Sequence, residues 1–275
     1  MAFPTVFVIA ASIISLALFL PIIHLMSRLW RIQSKPIAIP DSKNGATSAS
    51  LIILMSFATV FLWRVLAHTL ELDTCSHIFS VGSTCPSVVI DLVDVPWLLA
   101  LQTPILFAVF IVMKRTKQNP ASVGVIRKEW KRMLALGGTV SVIFVAISGL
   151  LAPSLGGGFA GFSATLPLGL AFYAIVGFSE EIVWRGYIQT RLAAYTDRLT
   201  GWIATSLLFA VVWHFPTEYY AQSGAVLPAL AGTLTRVVPG LLFGYLMLKS
   251  QNIIPSAMFH TFWNWNIMLW QVPTT

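Results

Sequence analysis

Residues 166–194 read LPLGLAFYAIVGFSEEIVWRGYIQTRLAA, an apolar run long enough to cross a bilayer that nonetheless holds Glu180, Glu181 and Arg185. An ionised side chain at the bilayer centre costs about 2.5 to 3.5 kcal/mol on insertion scales, so three together need a reason, and chemistry is the first to consider. A helix satisfies its own backbone inside hydrocarbon, and the sequence shows no apolar/polar alternation of the kind a membrane barrel requires. The stretch therefore reads as a transmembrane helix that brings charge into a helical cavity.

The rest of the chain agrees with this reading. Of its 275 residues 57% are hydrophobic and only 10% charged, and the mean hydropathy is +0.81. Apolar segments predict helices near 4–27, 48–70, 96–113, 133–152, 166–194, 200–214, 226–249 and 253–270. The expected fold class is all-α, a polytopic membrane protein of about eight transmembrane helices around a polar cavity, with residues 1–275 forming a single integral membrane domain. The first run, from Pro4 to about Trp30, lacks a basic leader and exceeds the core of roughly 7 to 15 residues found in cleaved signal peptides, so it reads as a retained helix.

The net charge of +7 does not mark a nucleic-acid partner, because the basic residues gather in particular loops without interleaved aromatics. Arg28, Arg31, Lys35 and Lys43 follow the first helix, and Lys114, Arg115, Lys117, Arg127, Lys128, Lys131 and Arg132 follow the third. The positive-inside rule makes both loops cytoplasmic. Arg191, Arg198 and Lys249 fall on the same side, while Glu71, Asp73, Asp91, Asp94 and Glu218 fall on the other. Both termini are then non-cytoplasmic.

The only two cysteines, Cys75 and Cys85, exclude a four-thiolate zinc cluster and share an external loop, where they are either a disulfide pair or two free thiols. Trp30, Trp97, Trp130 and Trp270 near helix ends read as interfacial anchors. Gly156 to Gly158 read as a flexible connector; no Lys-Ser/Thr follows to make a phosphate loop.

Glu181 and Arg185 stand at i and i+4, so on a helix they can neutralise each other. Glu180 points elsewhere, on a face it shares with Trp184 and Tyr187, and apolar surroundings of that kind suit a general base. Downstream, Trp213-His214-Phe215-Pro216 ends the sixth helix, and His260 and Asn264 lie at i and i+4 in the eighth. Histidine exchanges protons near neutral pH, and an asparagine amide can donate to a developing oxyanion. Arg236 either pairs with Glu218 or Glu181 or meets a substrate carboxylate, the pairing being the simpler reading. His24 and His68 lack such spacing and read as helix-packing residues, and Arg64 as a snorkelling or internally paired cation.

The three separated motifs, Glu180-Glu181-x-x-x-Arg185, the aromatic stretch ending at His214, and His260-x-x-x-Asn264, resemble those of the CAAX protease and bacteriocin-processing family (CPBP or Abi), which includes the type II CAAX prenyl endopeptidases. The resemblance covers about residues 130–270; residues 1–115 add helices without family motifs. It implies an intramembrane endopeptidase in which Glu180, helped by His214, activates water, His260 and Asn264 stabilise the oxyanion, and Glu181 and Arg185 support the site. One departure stands out. The family pattern has Phe four residues before the histidine of the second motif, where this chain has Ala210, with Phe209 five before.

No cofactor is expected from the residues. A zinc-dependent version, with Glu180, His214 and His260 as ligands, is the less favoured alternative, because no His-Glu-x-x-His pair is present and asparagine is a weak zinc ligand. A non-enzymatic membrane scaffold or immunity factor is the alternative from another class. The resemblance implies a peptide or membrane-protein substrate, prenylated or not, beside the lipid bilayer. A prokaryotic plasma membrane is the preferred location, with the endoplasmic reticulum as the other.

Overall fold

The computed structural model describes residues 3–32, 36–39, 42–69, 94–126, 128–155, 157–163, 165–222 and 224–271. The expected external pair, Cys75 and Cys85, lies outside the described residues, as does Gly156.

Among the described residues the fold is all-α apart from one short strand pair, and the helices form eight successive runs. The first four are α1 (Phe3–Leu29), α2 (Ser42–Thr69), α3 (Asp94–Arg115) and α4 (Trp130–Leu151). In the fifth, α5 (Thr165–Glu181) passes through a π-helical segment (Ile182–Gln189) into α6 (Thr190–Tyr195). In the sixth, α7 (Arg198–Leu208) passes through a second π-helical segment (Phe209–His214) into α8 (Phe215–Ala221). The seventh is α9 (Val226–Thr235) and α10 (Val237–Ser250), and the last is α11 (Ile253–Leu269).

Six spans are long and apolar enough to cross a membrane: Lys43–Leu66, Leu98–Arg115, Trp130–Ser154, Thr165–Tyr195, Arg198–Ala221 and Val226–Ser250. The apolar part of α1, Ile13–Leu29, and the 17 residues of α11 are shorter. The chain is a multi-pass membrane protein.

Two irregularities trace to proline. Pro216 has no N–H to give to the preceding turn, and its ring crowds a carbonyl there; the turn before it is the π-helical Phe209–His214. Pro239 likewise withholds a hydrogen bond from the turn that ends α9, and the seventh run breaks at Arg236. The expected single helix over 226–249 is therefore two helices in one span.

Helix α11 packs between α4 and α5, while α10 touches α1, α7 and α11. Interhelical contact in lipid depends on small residues that let backbones approach. Gly177 of α5 is one: a Cβ there would stand 2.8 Å from the Ala257 carbonyl and 3.0 Å from the Thr261 backbone nitrogen of α11. Neither backbone atom can swing away. Gly177→Ala is therefore expected to destabilise by about 1 to 3 kcal/mol through overpacking. Gly138→Ala, whose new methyl meets only the flexible end of Met258 at 3.7 Å, is expected to be neutral or stabilising. Thermal unfolding of both variants in one detergent checks the contrast; equal behaviour would contradict the close α5–α11 contact.

The start of α11 is fixed by Asn252, which is buried. Its Oδ1 accepts from the Ile254 N–H at 2.9 Å, and its Nδ2 donates to the Ile126 carbonyl at 3.0 Å. Beyond the far end of α11, Trp270–Gln271 pairs antiparallel with Gly158–Phe159. This corrects the reading of the glycine segment as a flexible connector: its end is held as a strand. Trp270, expected as an interfacial anchor, also packs inward on Gly149, where a Cβ would come within 2.5 Å of the indole.

Candidate active site

Glu180, His214, His260 and Asn264 all line one cavity of about 360 Å³ inside the helical bundle. The first stands at the end of α5, the second at the end of the π-helical turn before α8, and the last two one turn apart on α11. The Gly177 contact brings the carboxylate end of α5 against His260.

Glu181 is the hub beside this cavity. Its Oε1 accepts from Arg185 Nη1 at 3.0 Å and meets His260 Nδ1 at 3.0 Å, while Ser256 Oγ donates to its Oε2. Arg185 is fully buried; its Nη2 donates to the Gly240 carbonyl at 3.1 Å, and its guanidinium lies 4.3 Å from the Phe209 ring centroid. The i,i+4 spacing therefore makes the ion pair that the sequence led us to expect. Because an ionised carboxylate is acceptor-only, the His260 nitrogen facing Glu181 is the one that carries hydrogen.

Glu180 is 6% exposed. Gln102 Nε2 of α3 donates to its Oε1 at 3.2 Å, and the Trp213 side chain shares the cavity wall with the same carboxylate. Its Oε2 stands 3.8 Å from His260 Nε2, too far for a direct hydrogen bond. The His260 ring is stacked on Phe243 at 4.4 Å.

The expected wall of Trp184 and Tyr187 around Glu180 is not what forms. An α-helical projection puts the three on one face, but the helix becomes π-helical at Ile182 and its later side chains turn elsewhere. Trp184 packs against Phe209 and Trp213 in the core, and Tyr187 donates to Ser48 Oγ at 2.8 Å. The apolar groups that share the cavity with Glu180 instead include Phe172, Tyr173 and Val176 on its own helix and Leu98, Leu101 and Trp213 from others.

The second π-helical segment accounts for the departure at Ala210. Where hydrogen bonds run i to i+5, residues five apart sit one turn apart. Phe209 thereby reaches His214, ring centroids 4.8 Å apart and nearly perpendicular, while also covering Arg185. The aromatic neighbour is present, displaced by one residue and recovered by the wider turn.

Arg236 takes the simpler of its expected roles, with Nε and Nη2 at 3.3 and 3.0 Å from Glu218 Oε1. Arg64 Nε donates to Thr217 Oγ1 at 3.1 Å, and His24 Nδ1 lies 3.4 Å from the Tyr245 hydroxyl. The side chain of His68 lies outside the described residues. Gln102 and Ser256 are the site residues that motif reading missed. Gln102 was visible as a lone amide in an apolar run, and Ser256 as the residue one turn before His260, but neither stands in a spacing that singles it out.

Among the described residues, no group of three or more His, Cys, Asp or Glu side chains is arranged to hold a metal ion. Glu180, His214 and His260 do not form such a group.

Residues 162–266, which contain all four cavity-lining motif residues, match the Rce1-like family model, described as type II CAAX prenyl endopeptidase Rce1-like. Neither curated proteins nor solved structures give a significant match. Over these residues the chain thus carries a domain similar to the Rce1-like prenyl endopeptidases, a protease family consistent with the resemblance of its three motifs.

Proposed function

We propose that the protein is an intramembrane endopeptidase that hydrolyses a peptide bond with water activated by Glu180. The observation that carries this reading is the convergence of Glu180, His214, His260 and Asn264 on one cavity within the bundle. Peptide hydrolysis needs a base for water, donors for the oxyanion and a space that admits the chain, and the cavity offers each.

The geometry favours one division of labour. With Nδ1–H given to Glu181, a neutral His260 turns an unprotonated Nε2 toward Glu180. Two acceptors 3.8 Å apart suit a water that donates one hydrogen to each. Glu180 takes the proton as the water oxygen attacks the carbonyl carbon, and returns it to the departing amine. His214 and Asn264, on other parts of the same wall, are then the donors for the oxyanion. This exchanges the histidine roles implied by the family resemblance, because it is His260 that stands beside both glutamates.

Aromatic side chains, among them Phe172, Tyr173, Trp213 and Trp263, share the cavity wall with the polar groups. Such a surface suits a peptide with apolar side chains or an attached lipid. The reading is tested with purified protein in proteoliposomes and a peptide library, prenylated and unmodified, with and without chelator. Wild type is expected to cleave with chelator present, and His260→Ala and His214→Ala each to lower kcat by about 10²- to 10³-fold. Unchanged cleavage by either variant would remove that histidine from the mechanism, and loss of activity with chelator would restore the zinc alternative.

A further inference from the structure

Gln102 belongs to α3, outside the residues that match the protease family, yet it is 3% exposed and lines the same cavity as Glu180. Its amide donates to Glu180, Nε2 to Oε1 at 3.2 Å. A buried amide in a membrane span is costly unless it has a partner, and here the partner is the proposed base.

We infer that Gln102 is a positioning residue that holds Glu180 Oε1 and so presents Oε2 to water and His260. This rests on the hydrolytic reading above. A carboxylate on a single χ3 axis can rotate to offer either oxygen, and that rotation is broad for a terminal sp² group. One fixed donor on Oε1 stops it. The other oxygen is then set on the side of His260 Nε2, where the water has two acceptors. Helix α3 packs on α5, so the amide is carried by a neighbouring helix and not by the segment that bears the glutamate. The N-terminal half thereby contributes to the chemistry of the second half.

Gln102→Met keeps length and bulk but removes the donor, and Gln102→Glu keeps shape but replaces the donor with an acceptor or a like charge. In proteoliposomes Gln102→Met is expected to lower kcat by about 10- to 100-fold, the worth of one hydrogen bond to a charged group, with KM unchanged within about twofold. Gln102→Glu is expected to fall further. A second readout does not depend on turnover. With isotope-labelled glutamate, the infrared carboxylate band lost in Glu180→Gln is expected to shift in Gln102→Met.

Retention of wild-type kcat by Gln102→Met, a parallel change in KM and thermal unfolding, or an unshifted carboxylate band would each overturn the inference. The hydrolytic reading fails on a different result, namely turnover retained by Glu180→Gln. In that event the infrared band still decides whether Gln102 holds the carboxylate.

Discussion

Glu180→Gln is expected to lower peptide hydrolysis by about 10²- to 10⁴-fold, the contribution of a positioned general base. The substitution preserves shape and leaves an acceptor for Gln102, so the cavity should keep its form. It removes a carboxylate from a site that is 6% exposed, so thermal stability is expected to stay level or rise, because a buried charge without an ion pair of its own is a burden on the fold. Lost turnover with retained unfolding temperature is the signature of a residue kept for chemistry. Lost turnover with lost stability would place Glu180 among the structural residues and support the scaffold alternative.

Its neighbour is expected to behave in the opposite sense. Glu181→Gln removes the carboxylate that Arg185, Ser256 and His260 all meet, leaving Arg185 fully buried with no other carboxylate at ion-pair distance among the described residues. Breaking one partner of a buried pair costs about 3 to 5 kcal/mol. The amide also lets the Glu181–His260 bond turn around, so His260 can lose the tautomer that points an acceptor at Glu180. Unfolding in detergent should fall markedly, and activity with it. A Glu181→Gln protein as stable as wild type would show that the ion pair is not a structural hub.

The contrast between these two adjacent glutamates was partly legible in the sequence. The spacing of Glu181 and Arg185 names a helical ion pair, and what remains is Glu180. His260 and Asn264 declared themselves in the same way, by standing one turn apart in an apolar helix. The spans were legible from hydropathy because a bilayer imposes length and apolarity on each helix separately. What local spacing does not encode is a change of helical repeat. The π-helical turns at Ile182–Gln189 and Phe209–His214 redirect Trp184 and Tyr187 away from Glu180 and bring Phe209 to His214. Pro216 hints at the second of these, while Gly186 at the centre of the first meets the Val123 carbonyl, where a Cβ would stand at 2.5 Å. That contact exists only once the chain is packed. Gln102 was hidden for a similar reason: its meaning lies in a partner 78 residues away.

The most direct test of Glu180-driven water attack is cleavage in ¹⁸O-labelled water by purified protein in proteoliposomes, with chelator present and products read by mass spectrometry. Wild type is expected to place solvent ¹⁸O in the newly formed carboxyl terminus, and Glu180→Gln, folded to the same extent, to give no product above background on the same timescale. Cleavage by Glu180→Gln at the wild-type rate, or labelled product from wild type only when the chelator is left out, would contradict the account.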